Sequence, residues 1–381
     1  MTRFCIYHAN LVTPSEIIKD ATLWIENGQI LRLDKHTTAI TSGEPSVDAK
    51  HAWVLPAFID LHIHGMGGYG PEQSTPDALL QMSRVLARQG VGAFCPTLYC
   101  ANPTHLATQI TALLPAFGKE TGARLLGFHL EGPFLSPAQT GVMKPTDLAP
   151  AQVDILRKLY QTANGKIAIL TLAPELPGID AILDFCAQHK IVVQAGHTDA
   201  TYAQMQAAVE KGVRRVTHVG NAMRGFHHRE PGALGAALFD SRISCEVIAD
   251  AKHTHPAFLS FLRQVKPLEQ ITAVTDALMP TGQVSGPFIA NGEEVVQQDG
   301  VWKRKQDGVI AGSALTMLEA FKQLIACGYS MQEASACTST NPAKCLYLKE
   351  GLLAPHAPAN LVFLSKDLQL QSVYLNGKKI N

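Results

Sequence analysis

Four histidines, a glutamate and an aspartate stand in this chain where each could hold or assist a divalent metal. His62 and His64 lie two apart in Pro56-Ala57-Phe58-Ile59-Asp60-Leu61-His62-Ile63-His64-Gly65. That run is apolar, opened by a proline and closed by glycine, which predicts a buried strand ending in a turn. Side chains alternate faces along a strand, so both imidazoles project to one side and could share an ion. Glu131 sits in Phe128-His129-Leu130-Glu131-Gly132-Pro133, His197 in Ala195-Gly196-His197-Thr198, His218 in Thr217-His218, and Asp276 in Ala273-Val274-Thr275-Asp276-Ala277. Taken singly, each has an ordinary alternative: a satisfied histidine, a capping carboxylate, a helix N-cap. Their recurrence at the ends of successive strand-like segments is what the ordinary reading does not explain.

Four imidazoles plus a carboxylate suit a borderline ion such as Zn²⁺, with Fe²⁺, Mn²⁺ or Co²⁺ also compatible. Glu131 has two oxygens and could bridge two ions, one held by His62 and His64 and the other by His197 and His218. Such an ion lowers the pKa of bound water from ~15.7 toward ~7. Asp276 would take a proton from that water during attack on a carbonyl and deliver it to the leaving nitrogen. The chemistry read from the residues is amide hydrolysis.

A second cluster suits an anion. Asn221-Ala222-Met223-Arg224-Gly225-Phe226-His227-His228-Arg229-Glu230-Pro231-Gly232 offers two arginines and two histidines on a glycine-flexed backbone, and Lys252-His253 follows a later strand. Arg, His and backbone N–H groups are the usual partners of phosphate. A solvated basic loop is the alternative reading.

These residues need a scaffold that gathers strand ends. Strand candidates at the His62 run, 91–97, 123–130, 167–172, 191–195, 215–219, 244–248 and 271–275 alternate with helical patterns near 77–89, 104–114 and 151–159. Eight such alternations over roughly 250 residues predict a (β/α)8 TIM-like barrel, whose carboxyl strand ends share one rim. An open doubly wound sheet is the competitor, disfavoured because no G-x-G-x-x-G follows the first strand. Alternating segments at 21–26 and 29–33, split by Asn27-Gly28, and others at 359–364 and 372–380 predict a small β-sandwich built from both ends of the chain. The expected boundaries are 1–54 and 346–381 for that unit and 55–345 for the hydrolase barrel, with a β-hairpin inserted near 286–310.

Composition narrows the partners. Lys plus Arg and Asp plus Glu both total 32 in 381 residues, so no global field draws a polyanion and nucleic acid is not expected. The start of the chain lacks a signal peptide's apolar core, and no run reaches the length of a membrane span, so a cytoplasmic protein is expected. The eight cysteines are scattered and without a C-x-x-C pair, which predicts reduced thiols.

Taken together, these motifs resemble the N-acetylglucosamine-6-phosphate deacetylase family of the amidohydrolase superfamily. The resemblance runs through the His62-Ile63-His64 strand, His129-Leu130-Glu131-Gly132-Pro133-Phe134, Gly196-His197-Thr198-Asp199-Ala200-Thr201-Tyr202, Asn221-Ala222-Met223, His227-His228-Arg229-Glu230-Pro231-Gly232, Thr275-Asp276-Ala277 and Ala311-Gly312-Ser313-Ala314-Leu315-Thr316-Met317. It implies removal of the acetyl group from an N-acetylhexosamine 6-phosphate. N-acetylglucosamine-6-phosphate is favoured, with N-acetylgalactosamine-6-phosphate as the alternative; a cyclic amidase, a deaminase or a non-catalytic barrel are readings from other classes. It further implies that Glu131, His197 and His218 hold the main metal and that Asp276 is the acid/base. Val142, Asn221, Ala222 and His253 would contact the sugar phosphate, with Ile310, Ala311 and Gly312 bordering it. Arg229 would reach the phosphate of a neighbouring subunit in a homodimer. Some members lack the His-x-His pair and use one metal; its presence here implies two. Where the family has a histidine that polarises the acetamide carbonyl, this chain has Met143, and Gly220 stands where many relatives carry a bulkier residue, which predicts a wider pocket.

Overall fold

The computed structural model describes residues 3–36, 45–284 and 288–380. Residues 1, 2, 37–44 and 381 of the expected terminal unit, and 286 and 287 at the start of the expected insertion, lie outside them.

The eight expected barrel strands are all present: β1 (Phe58–Ile63), β2 (Val91–Leu98), β3 (Phe128–Glu131), β4 (Ile167–Leu172), β5 (Val192–Ala195), β6 (Arg215–Val216), β7 (Ser244–Ile248) and β8 (Ile271–Val274). They pair in parallel in chain order, with the short strand Arg124–Leu125 added beside β2. β1 and β8 meet at their carboxyl ends, where Asp276 N–H donates to His62 O at 2.8 Å and the Thr275 hydroxyl donates to Asp60 Oδ2 at 2.6 Å. Parallel strands covered on both faces are apolar throughout their outward side. Accordingly Ile59, Leu61 and Ile63 of β1 join one apolar cluster with Leu79, Met82 and Leu86 of the helix Pro76–Arg88.

The inner face is different, because it is polar. Asp60, Thr97, His129, Thr171, Gln194, Thr217, Glu246 and Thr272 are all fully buried. Buried polar groups must pair or cost free energy, and most of these do so across strands: His129 with Thr171 at 2.7 Å, Arg215 with Gln194 at 3.0 Å, Thr217 with Glu246 at 3.0 Å, while the Thr272 hydroxyl has no partner among the described residues. This interior network lies directly beneath the rim and sets how the rim residues stand.

The two chain ends build one eight-stranded sheet. Leu361–Leu364 runs antiparallel to Trp53–Pro56, which joins the amino-terminal strands Arg3–Val12, Ile17–Glu26 and Gln29–Asp34 to the carboxyl-terminal Leu370–Leu375 and Lys378–Ile380. Ile6, Leu23, Ile25, Phe363 and Tyr374 share a core, so the sheet folds back on itself. The segment expected as a hairpin is part of a larger unit: Ile289–Ala290, Glu293–Gln298 and Val301–Arg304 continue into Ile310–Ser313 as a four-stranded antiparallel sheet. Trp302, 1% exposed, anchors it, donating from Nε1 to the Thr281 hydroxyl at 2.9 Å. No helix among the described residues is long and apolar enough to cross a membrane, and all eight cysteines are free.

Candidate metal centre

Six buried or nearly buried side chains converge at the carboxyl rim. Glu131 Oε1 lies 3.2 Å from both His197 Nε2 and His218 Nε2 and 3.4 Å from His62 Nε2; Oε2 lies 3.2 Å from His64 Nε2. Asp276 Oδ1 stands 3.4 Å from His62 Nε2 and 3.3 Å from His64 Nε2. Two donor groups result, Glu131 with His197 and His218, and His62 with His64 and Asp276. Asp276, expected as the acid/base, thus stands among the candidate ligands.

The tautomers show why these atoms fit a cation. His197 Nδ1 is 3.0 Å from the Gln139 carbonyl and His218 Nδ1 is 3.2 Å from the Asn221 carbonyl. A carbonyl only accepts, so each Nδ1 carries the proton and a neutral ring turns a bare Nε2 lone pair toward an anionic carboxylate. For His62 the partner is the Thr217 hydroxyl at 3.1 Å, whose proton goes to Glu246 at 3.0 Å. His62 Nε2 is buried with no hydrogen-bond partner among the described residues. Lone pairs facing carboxylate oxygens across 3.2 Å call for positive charge between them. Ligand atoms ~2.0–2.1 Å from a tetrahedral ion stand about 3.3 Å apart, so the spacing fits. Outer partners that fix the imidazole in this way are the usual support of a metal ligand. His64 lacks one: its Nδ1 is buried without a partner, and its ring is held by stacking on Tyr99, centroids 3.8 Å apart.

The electrostatics agree. Burial opposes charge on His62, yet the Glu131 and Asp276 carboxylates overcome it and raise its pKa well above the ordinary value. Burial opposes charge on Glu131 too, and His62 with the imidazole hydrogen bonds drives it well below the carboxylate range. Asp276 is lowered in the same way, against burial, by His62 and His64. His129, one layer down and 4.5 Å from the His62 ring centroid, is pushed to about 3 by burial and by the cationic demand of its neighbours, so it is a neutral hydrogen-bonding post. Burial pushes Asp60 up to about 7.

Local backbone turns the ligands inward. His197, His218 and Asp276 leave their strands with φ of 49°, 24° and 50°. Non-glycine residues in this region cost on the order of 1–3 kcal/mol and gather at functional sites. Gly196 is required by close approach: a Cβ there would lie 2.0 Å from Thr217 Cγ2.

A cavity of 160 Å³ opens onto this centre, lined by His64, Glu131, His197, His218 and Asp276 together with Val142, Asn221, Ala222, His253, Ile310, Ala311 and Gly312. His62 lies behind the wall. His253 is oriented by Asp250, whose Oδ2 is 2.6 Å from His253 Nδ1. Arg229 is exposed and outside this chain's cavity, as are His227 and His228. Arg224, expected with Arg229 as an anion donor, is engaged by Asp199 at 2.6 Å, an ion pair that laces the loop after β6 to the loop after β5. Gly220 does not widen the cavity; it is exposed, with open space where a side chain would be. Met143, 4% exposed, lines the cavity and packs with Tyr99, Leu278 and Trp302, so this wall is apolar.

Sequence reasoning passed over Tyr99, Thr217, Glu246 and Asp60. Signals existed: Asp60 has the same strand parity as His62, Glu246 is an isolated carboxylate in an apolar strand, and Tyr99 directly follows a strand end.

Fold and site together define a metal-dependent hydrolase on a β/α barrel. Residues 53–380 match the amidohydrolase family. An N-acetylgalactosamine-6-phosphate deacetylase of Escherichia coli O157:H7 is 34% identical over 361 residues, 93% of this chain and 95% of that protein. An N-acetylglucosamine-6-phosphate deacetylase of Bacillus subtilis (strain 168) is 32% identical over 375 residues, covering 94% and 92%. A Mycobacterium smegmatis N-acetyl-D-glucosamine-6-phosphate deacetylase variant, solved with N-acetyl-D-glucosamine-6-phosphate, superposes with a TM-score of 0.93 at 28% identity over 100% of both chains. The chain belongs to the N-acetylglucosamine-6-phosphate deacetylase family of the amidohydrolase superfamily.

Proposed function

We propose that this enzyme deacetylates an N-acetylhexosamine 6-phosphate, releasing acetate and the amino sugar phosphate. The observation that carries the reading is the Glu131–His197–His218 set, with both imidazoles fixed by backbone carbonyls, at the base of a cavity that also presents Asn221 and His253. In this reading Glu131, His197 and His218 would hold one divalent ion, and His62 and His64 would hold a second; Zn²⁺ or Fe²⁺ suits the donors, and Mn²⁺ or Co²⁺ is compatible. When bound, such an ion polarises a carbonyl and makes hydroxide available at neutral pH.

The protein's own groups do the rest. Asp276 is ionised, takes a proton from the attacking water and returns it to the amide nitrogen as the C–N bond breaks. Asn221, the Ala222 backbone and His253 orient the sugar phosphate, with Val142, Ile310, Ala311 and Gly312 forming the walls. A thioether at Met143 donates no hydrogen bond. Tyr99, whose phenol is kept protonated by burial and by nearby carboxylates, is on the same wall. Arg229, exposed here, completes the phosphate site of a second copy in a homodimer.

Two epimers compete as substrate. N-acetylglucosamine-6-phosphate is favoured by the family, and the E. coli relative supports the galactosamine epimer. Acetate release from both 6-phosphates and from their unphosphorylated forms, with metal content measured on the same sample, tests the reading. Strong preference for a phosphorylated epimer is expected; equal rates with and without phosphate would overturn the anion contacts.

A further inference from the structure

At the opposite, amino-terminal end of the barrel lies a cavity of 530 Å³, more than three times the volume over the metal centre. Its floor comes from the starts of β5, β6 and β7, through Val192, Val193, Arg215 and Ser244, and its wall from the helix Asn341–Cys345. Five basic residues line it, Lys190, Lys211, Arg214, Arg215 and Lys344, and no acidic residue does. In a chain with zero formal net charge this is a marked local separation of sign.

Lys211 pairs with Asp180. Arg214 donates from Nη1 to the Val209 and Val213 carbonyls. Lys190 and Lys344 form no ion pair among the described residues. Arg215 is 6% exposed; its Nε donates to Gln194, while Nη2 makes no hydrogen bond and stands 3.5 Å from Glu246 Oε1. Lys190, Lys211 and Lys344 sit at helix carboxyl ends, where a cation complements the helix dipole. That role accounts for each one singly. It does not account for their convergence on one cavity whose lining holds no acidic residue. Tyr347, 85% exposed and held at φ 56°, adds an aromatic face to the lining.

We infer that this cavity is a second ligand site, separate from the catalytic one, for a small phosphomonoester. A dianionic phosphate head matches unpaired lysines beside arginine donors, Tyr347 offers a surface for a ring, and the volume falls in the range of small-molecule sites, ~300–1,000 Å³. A sugar phosphate and a nucleotide share this chemistry.

Calorimetric titration with inorganic phosphate, glucosamine 6-phosphate and AMP tests it, using wild type, His253→Ala, which weakens the proposed catalytic phosphate contact, and the charge reversals Lys190→Glu with Lys344→Glu. Both lysines are exposed, so the double variant keeps the fold, checked by its melting curve. The expected result is a binding component that survives in His253→Ala and weakens by more than tenfold in the double variant; whichever of glucosamine 6-phosphate or AMP binds tighter identifies the body of the ligand. No binding by any probe, loss of all binding in His253→Ala, or unchanged affinity in the double variant would each overturn the inference.

Discussion

The Nδ1 of His62 stands 3.1 Å from the Thr217 hydroxyl, which passes its own proton to Glu246 at 3.0 Å. One buried hydroxyl therefore decides which nitrogen of His62 is free to bind an ion. Thr217→Val keeps the shape and removes the acceptor, so His62 loses its tautomer preference. Loss of such an outer partner typically costs about 10–100-fold in metal affinity. Competition with a chromophoric chelator should show that loss for one ion per chain, with the ion at Glu131, His197 and His218 retained.

Asp276→Asn removes the proton acceptor and leaves an amide of the same size. General acid–base groups contribute about 10²–10⁴-fold, so acetate release should fall at least that far. The ion at the Glu131 set should stay, as measured by elemental analysis. Undiminished turnover would sink the assigned role.

Removing metal should destabilise the whole barrel, because the candidate ligands come from β1, β3 and the segments after β1, β5, β6 and β8. A ligand at about 100 times its Kd stabilises by about 2.7 kcal/mol. Dialysis against chelator should lower the urea midpoint by a corresponding amount, and re-addition of Zn²⁺ should restore it. The chelated protein keeps carboxylates and imidazoles packed without their counter-charge.

Trp302→Ala should cost about 3–5 kcal/mol if the inserted sheet unfolds with the rest. A smaller loss accompanied by a raised KM would mean that the sheet loosens locally over the cavity it borders through Ile310, Ala311 and Gly312. Trp302→Phe, which loses the bond to Thr281 and only part of the buried ring volume, should cost less than Trp302→Ala.

Away from the site, Asp240 is held well below the ordinary carboxylate value, chiefly by its hydrogen bonds to the Arg242 guanidinium. A carboxylate depressed in the folded state contributes stability that is present above the unfolded value of ~3.9 and lost as pH falls through the lower folded one. Asp240→Asn should therefore lower stability at pH 7 and flatten the loss of stability on acidification below pH ~4. Urea midpoints across that range read both effects.

Much of this protein is legible in its sequence, since strand and helix periodicities are local. The alternation of apolar strands with helical patterns determined the barrel, and the placement of His62, His64, Glu131, His197, His218 and Asp276 at strand ends determined which residues could meet on one rim. Tertiary structure alone decided how they meet. A histidine's tautomer depends on what its other nitrogen touches, and that the Gln139 and Asn221 carbonyls and the Thr217 hydroxyl fill this role is decided by the fold and by no motif. Long-range pairing also decided that Arg224 serves Asp199 rather than a ligand, and that the inserted residues extend through Ile310–Ser313 as a sheet. The basic cavity beneath the barrel was invisible for the same reason: Lys190, Lys211, Arg214, Arg215 and Lys344 span more than 150 positions of sequence, and only the closed ring of strands draws them together.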